Sequence, residues 1–175
     1  MMNDGRPVAT RGSWKIYPCP AERATLKLAE VYSLSEFEQI KVGLIPQEME
    51  DKWFMFFEEP WLFIHRSWTG FCIYGIRWES SPQGAAVVET WVSRDKEQYR
   101  ETRTEYEEKL LKFLIDALLL KKAVAFPIPA EAAESARPGV YQHAVVGRAY
   151  PETVLEAPVV TNPSMWRRIR NRFKK

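Results

Sequence analysis

The segment from His65 to Gly70 (His-Arg-Ser-Trp-Thr-Gly) is the part of the sequence most suggestive of chemistry. It places an imidazole, a guanidinium and two hydroxyl groups within six residues. In one interpretation it is an anion pocket, in which Arg66 binds a phosphate or carboxylate through two parallel hydrogen bonds and Ser67, Thr69 and the Gly70 amide complete the site. In the other it is a hairpin turn whose hydroxyls satisfy nearby backbone groups. Both interpretations stay open at this point.

The strand that precedes this segment constrains His65 and Arg66 further. The run Trp61–Arg66 is rich in aromatic and apolar residues, which favours a strand. Side chains alternate between the two faces of a strand, so His65 and Arg66 point in opposite directions unless the chain bulges there. One of them then lies among apolar neighbours, where a charge without a partner is costly. We therefore expect it to belong to a structural hydrogen-bond network or to a site.

Arg77 and Glu89 are two further charged residues within apolar runs. If their strands pair through the 79–84 connection, the two side chains face each other across the sheet as an ion pair. In a sharper alternative, Arg77 and Glu89 converge with His65 and Arg66 on one sheet face as a polar site. The strand register decides between the two interpretations.

The two cysteines, Cys19 and Cys72, are 53 positions apart. This pattern is typical of reduced thiols rather than of a disulfide framework. A nucleophilic pair of Cys72 with His65 is conceivable, but the apolar neighbours of Cys72 favour a buried thiol that packs as a small hydrophobe. With two histidines and two cysteines in the chain, we expect no structural zinc site. We also expect no cofactor.

The last twelve residues, 164–175, carry six cations and no acid. Without them the body has 19 basic and 23 acidic residues, a net charge of about −4. On a helix, the apolar residues of this tail would form a narrow stripe between cations, suited to an anionic membrane, nucleic acid phosphates or an acidic partner. The alternative is a solvated end. The candidate contact residues of the tail are Trp166, Arg167, Arg168, Ile169, Arg170 and Phe173.

Short aromatic and β-branched runs separated by turn residues predict an antiparallel meander at the centre of the chain. We expect an α+β fold: a mostly antiparallel sheet of four to six strands with one long helix packed on one face. The meander runs are 52–57, 61–66, 71–78 and 85–93. The expected helices are 21–32, 35–42 (with Ser33 or Ser35 as N-cap and Gly43 as its end) and the long 96–121; further short strands are expected at 13–20, 123–129 and 140–150.

Length and composition predict one domain. At 175 residues with 46% hydrophobic residues, the chain is long enough for one sizeable core. We divide it into a flexible lead (1–13), a single α+β domain (14–150) and a Pro-rich linker with the basic tail (151–175). No apolar run reaches the length of a transmembrane segment, and the start lacks a secretory signal, so we expect a cytoplasmic protein.

Part of the sequence resembles a group of small, uncharacterised bacterial proteins that share a tryptophan-rich block. The resemblance rests on Glu50-Asp51-Lys52-Trp53, on His65–Gly70 and on Ile73-Tyr74, and it covers about residues 44–78. It implies no activity. It does imply that His65, Arg66 and Thr69 form a unit with Trp53 and Trp68.

Three functions follow from these features. The sequence contains no nucleotide-binding glycine motif, nucleophile elbow or zinc-protease motif, which argues against an enzyme. We expect a non-enzymatic protein-binding module of the accessory or immunity type that binds a protein partner or a second copy of itself. The alternative is a nucleotide- or phosphoester-binding protein, with or without catalysis, that uses His65–Gly70 for an anionic small ligand. The third is nucleic-acid association through the basic tail.

Overall fold

The computed structural model describes residues 5–129 and 138–147. Within this part of the chain, six strands and three helices form an α+β fold, as the sequence predicts. The strands are β1 (Arg23–Thr25), β2 (Val31–Ser33), β3 (Trp53–Glu58), β4 (Trp61–Arg66), β5 (Cys72–Ser81) and β6 (Gly84–Ser93). The helices are α1 (Leu34–Val42), α2 (Thr104–Phe113), which continues as a π-helical turn over Leu114–Leu119, and α3 (Pro138–Val146).

The strands form one antiparallel sheet in the order β1-β6-β5-β4-β3, and β2 also pairs with β6. The β3–β6 meander is confirmed, because each of these strands pairs with the next one along the chain. The two short strands β1 and β2 lie one after the other along the outer edge of β6, β1 at its end and β2 at its start. They satisfy the backbone groups of that edge, which would otherwise be exposed.

Two β-bulges decide which side chains share a face. The β4–β5 register shifts between Ile64 and His65, so His65 pairs with Cys72 while Ile64 pairs with Tyr74. As a result Ile73 and Tyr74, although adjacent in sequence, both lie in the main core. A second register shift, between Arg77 and Trp78, interrupts the pairing of β5 with β6.

Helices cover one face of the sheet, and β3 and β4 are covered on the other face as well. The three helices and the π-helical turn pack on one face and enclose the main core, which combines aliphatic residues such as Ile40 and Leu111 with Trp53 and Tyr74. The N-terminal segment covers the other face at β3 and β4, where buried Ala9 packs with Phe54 and Phe56. We call residues 5–20 the N-terminal segment and the face beneath it the second face. Residues 1–4 of the predicted lead lie outside the described residues.

The ends of α1 follow the predicted signals. Ser33, one of the two predicted caps, accepts a hydrogen bond from the amide of Glu36, and the Glu36 carboxylate accepts one from the amide of Ser33. Gly43 ends the helix at a positive φ of 72°. A side chain there would collide with the carbonyl of Met55, so glycine is required on two counts.

The predicted long helix over 96–121 is wrong in its first eight residues. The α2 helix begins at Thr104, because Asp95 organises a turn upstream: its carbonyl accepts hydrogen bonds from the amides of Gln98 and Tyr99. The Arg94 guanidinium also binds the carbonyl of Glu101, which fixes this loop in place. Beyond Phe113 the chain widens into the π-helical turn rather than continuing as α-helix.

Other element predictions also need correction. The helix expected at 21–32 is replaced by β1 and β2, because pairing with the edge of β6 overrides local helical preference. Residues 13–20 hold no strand; a 3₁₀ turn at Arg11–Ser13 leads into extended chain. Residues 123–129 form no regular element, and the strand expected at 140–150 is helix α3 as far as Val146.

A partly buried ion pair joins the loop after β6 to α2. The fully buried carboxylate of Glu107 accepts two hydrogen bonds from the Arg94 guanidinium, at 2.8 and 2.6 Å. The carboxylate raises the pKa of Arg94 further above its ordinary value. Such a two-bonded geometry keeps both charges satisfied at the point where the loop enters the helix.

We expect Glu107→Ala to lower the free energy of unfolding by about 3 kcal/mol, because it leaves Arg94 without its partner and opens a cavity. Glu105→Ala is the matched control on the same helix: it removes an exposed ion pair with Lys109 and should leave stability nearly unchanged. Urea unfolding followed by circular dichroism measures both. Equal effects of the two variants would contradict this assignment.

Candidate functional site

The predicted site segment forms a closed turn between β4 and β5. The amide of Arg66 donates to the carbonyl of Phe71, and the amide of Gly70 donates back to the carbonyl of Arg66 at 2.8 Å. Thr69 accepts a hydrogen bond from the amide of Phe71 through its hydroxyl. Gly70 has a φ of 80°, and a side chain there would meet the backbone of Lys15. The turn therefore requires glycine at this position.

Ser67 ties this turn to the chain that enters β3. Its hydroxyl donates to the carbonyl of Asp51 at 2.5 Å, and its amide donates to the carbonyl of Lys52 at 3.0 Å. We call these two hydrogen bonds the Ser67 clasp. Beside it, the indole nitrogen of Trp68 donates to the carbonyl of Met49 at 2.6 Å. The hydroxyl and the indole are therefore engaged with backbone groups, as in the hairpin-turn interpretation.

His65 is buried on the second face. Its Nδ1 donates to the carbonyl of Gly70 at 2.9 Å, and its ring packs against Phe54 and Phe56 with centroids 6.2 and 5.6 Å away. Its Nε2 is buried and has no hydrogen-bond partner among the described residues. Burial lowers the pKa of His65, and the nearby charge of Arg11 adds to this, against the opposing effect of the Gly70 bond. The ring is therefore a neutral, structural imidazole.

Arg66 points to the helix-covered face, as strand alternation predicts. Its guanidinium lies 4.0 Å from the centroid of the Trp53 ring and donates to the carbonyl of Val145 at 3.1 Å. Trp53 donates to the same carbonyl. Desolvation lowers the pKa of Arg66, while the hydroxyl groups of nearby tyrosines, Tyr74 first, oppose this. Arg66 and Trp53 thus join α3 to the sheet.

Arg77 and Glu89 form a cross-strand ion pair. They are register partners on β5 and β6, and Arg77 Nε lies 3.0 Å from a Glu89 carboxylate oxygen. Arg77 also pairs in register with Trp61, four residues along β4 from His65. The structure therefore does not bring the four polar residues together: Arg66 is on the opposite face, and His65 is separated from the ion pair along the strand.

A surface that the sequence reasoning missed lies beside the turn. Met49 and Trp68 are 79% and 65% exposed, although both are large and apolar. They border an open groove of about 530 Å³, which we call the Trp68 groove. Its lining residues are Trp14, Pro46, Gln47, Glu48, Met49, Asp51, Ser67 and Trp68. The tryptophan-rich block gave a signal for this region, but exposure depends on how the 44–52 segment folds back along β3.

The walls of the Trp68 groove are held in place. Lys52 Nζ lies 3.8 Å from the centroid of the Trp68 ring, and Trp14 donates its indole N–H to the carbonyl of Ser67 at 2.8 Å. The Asp51 carboxylate accepts hydrogen bonds from the amides of Gln47 and Glu48, which shapes the turn that carries Met49. The groove is therefore formed before any partner binds.

A smaller cavity of about 330 Å³ lies on the other side of the chain segment that leads into β3. Val42, Leu44 and Leu118 give it apolar walls, and Arg6, Lys52, Lys121 and Asp51 bring charged groups to it. Its lining does not include the turn residues His65, Arg66, Thr69 and Gly70.

The predicted tail residues 166–173 lie outside the described residues. Within residues 5–129 and 138–147, no group of three or more histidine, cysteine or acidic side chains is placed to hold a metal ion. In the same part of the chain, no helix combines the length and apolar character needed to cross a membrane. Fold and surface together define an α+β protein whose antiparallel sheet is covered by helices on one face and, at β3 and β4, by the N-terminal segment on the other, with a preformed aromatic groove. No protein-family model, curated protein or solved structure matches the chain.

The buried neutral His65 makes stability depend on pH. Because the pKa of His65 is lowered in the folded state, the unfolded chain protonates the imidazole more readily than the folded one. The free energy of unfolding is therefore at its full value above pH 6.5 and falls as the pH drops below it. The loss is at most about 1.4 kcal/mol per pH unit for one proton. We expect His65→Asn, whose amide can still donate to Gly70, to lose less stability than the wild type between pH 7 and pH 5. Urea unfolding at both pH values tests this, and identical losses would contradict it.

Proposed function

We propose that this chain is a non-enzymatic protein-binding module, a bacterial cytoplasmic protein of the accessory or immunity type, and that the Trp68 groove is its recognition surface. One observation carries the proposal: Met49 and Trp68 are held outward, side by side, by a hydrogen bond between the Trp68 indole and the Met49 carbonyl. Large apolar side chains that are fixed in an exposed position favour a binding role.

The charged and imidazole side chains of the predicted polar site support this proposal because they are engaged elsewhere. His65 is buried with a hydrogen bond to Gly70, Arg66 binds a backbone carbonyl of α3, and Arg77 pairs with Glu89. An anion pocket at His65–Gly70 would use the Gly70 amide, which already donates to Arg66. The nucleotide or phosphoester alternative therefore has less support from the geometry.

The composition of the groove suits a protein partner. Tryptophan and methionine are enriched at protein interfaces, where an aromatic anchor in a preformed pocket supplies much of the affinity. Trp68 is already restrained by Lys52 and by Met49, so binding costs little side-chain entropy.

The charged residues around the Trp68 groove indicate which kind of partner segment it favours. Glu48 and Asp51 line the groove, and the exposed Glu50 lies between Met49 and Asp51, whereas Lys52 is the nearby cation. An acidic rim around apolar anchors favours a partner segment with large apolar side chains among arginine and lysine. Residues 164–175 of this chain have that composition, so a second copy of the chain is one such partner. Nucleic-acid association of that tail is a separate proposal, which predicts steep salt dependence.

A peptide display library selected on the full-length protein tests the proposed function. We expect enriched peptides that combine an aromatic or large aliphatic residue with arginine or lysine. A synthetic peptide of residues 164–175 should compete with them if self-association uses the groove. We expect Met49→Ser and Trp68→Ala each to weaken binding by about tenfold or more in isothermal titration calorimetry.

Val31→Ser is the matched control, because Val31 is 78% exposed, against 79% for Met49, and lies on β2 at the far edge of the sheet. This variant should bind as the wild type does. Failure to enrich any peptide, or binding that Met49→Ser and Trp68→Ala leave unchanged, would contradict the assignment of the groove.

A further inference from the structure

The two cysteines of the chain meet on the second face. Cys19 stands between Pro18 and Pro20 in the N-terminal segment, and Cys72 is the first residue of β5. Both thiols are free, and their sulfur atoms lie 3.0 Å apart. A disulfide bond is about 2.05 Å long, so the two sulfur atoms need to approach by only about 1 Å to form one.

Backbone contacts hold the two thiols together. The amide of Tyr17 donates to the carbonyl of Gly70 at 2.9 Å, two residues before each cysteine. The Tyr17 ring also packs on Phe71, with the ring centroids 5.6 Å apart. The proximity of the thiols is therefore a property of the fold rather than of two side-chain rotamers.

The two thiols differ in access and in charge. Cys19 is partly exposed, whereas Cys72 is buried. The hydrogen bond from the Cys72 thiol, together with the charges of Arg23 and Arg11, lowers the pKa of Cys19 to about 7 against the opposing effects of burial and Glu58. The same bond and burial raise the pKa of Cys72. Cys19 thus supplies the accessible thiolate and Cys72 the protonated partner.

We propose that Cys19 and Cys72 form a thiol–disulfide exchange site that reacts with small-molecule disulfides and closes an intramolecular disulfide bond. The Cys19 thiolate attacks one sulfur atom of the disulfide, whose S–S bond breaks and releases one thiolate. Cys72 then loses its proton and attacks the Cys19 sulfur, which breaks the mixed disulfide and releases the second thiolate. The proton passes to a released thiolate. The protein dithiol loses two electrons, and the small disulfide gains them as one thiol and one thiolate, which takes up from water the proton that Cys19 lost when it ionised.

Closing this bond would fasten the N-terminal segment to the sheet. The segment otherwise rests on contacts such as the packing of Trp14 on Phe54 and the hydrogen bond between Tyr17 and Gly70. The bond also closes a long loop, between Cys19 and Cys72, which restricts the unfolded chain. The oxidised protein should therefore resist unfolding better than the reduced one.

The test is to incubate the reduced full-length protein with excess glutathione disulfide, alkylate the remaining thiols and map them by mass spectrometry. We expect both thiols to disappear, the peptides of Cys19 and Cys72 to be linked, and the melting temperature to rise by about 5 °C or more. Wild-type protein that keeps two alkylatable thiols, or that stops at a stable mixed disulfide with glutathione, would overturn the proposal.

Two variants assign the roles of the thiols. Cys72→Ala should gain one glutathione at Cys19 and keep it, because no second thiol is present to release it. Cys19→Ala should stay unmodified while folded, because Cys72 is buried. Far-UV circular dichroism verifies that both variants are folded. A folded Cys72→Ala that stays unmodified, or a folded Cys19→Ala that is modified as fast as the wild type, would overturn the order of the steps.

Discussion

The Ser67 clasp is the interaction on which the arrangement of the molecule depends most. Two hydrogen bonds from one residue fix the β4–β5 turn to the chain at Asp51 and Lys52, immediately before β3 begins. The edge strand β3 is thereby held at its start, and the preceding turn is forced to project outward with Met49 at its tip. Ser67 makes this attachment, whereas His65 and Thr69 form hydrogen bonds within the turn and Arg66 binds α3. The exposed groove is a consequence of the attachment.

A second constraint is that β3 and β4 are covered on both faces of the sheet. Continuous apolar runs such as Trp53–Phe57 are typical of strands that are buried on both sides. The helices cover one side, so the N-terminal segment must cover the other, where Phe54 and Phe56 would otherwise be exposed. This requirement brings Trp14 to the Trp68 groove and Cys19 to Cys72. Two surfaces with different chemistry therefore result from the same packing need.

The sequence predicts the centre of the fold well, because strand signals there are local. Alternation along β4 places His65 and Arg66 on opposite faces, and the Arg77–Glu89 pair follows from simple hairpin pairing. The edge strands β1 and β2 were not predicted, because each is three residues long and too short to show the alternation of polar and apolar residues that indicates a strand. Their partner β6 is also distant in sequence.

The functional surfaces were also harder to predict, because they depend on contacts between residues that are distant in sequence. The contact of Cys19 with Cys72 depends on how the N-terminal segment crosses the sheet, and no local pattern encodes that path. The exposure of Trp68 depends on the hydrogen bond between Ser67 and Asp51, which are 16 residues apart in the chain. Aromatic residues in a strand-rich block indicate a core, so an aromatic residue held outward at a turn gives no distinct signal.

Native-state hydrogen exchange of the backbone amides, measured by NMR, tests the clasp most directly. Because the amides of Ser67 and Gly70 donate to the carbonyls of Lys52 and Arg66, they should exchange slowly although they lie in a turn. Their protection should approach that of Met55, whose amide donates to Leu44. Exchange of Ser67 and Gly70 at the rate of an unstructured peptide, with Met55 still protected, would contradict a turn that is fastened to the start of β3.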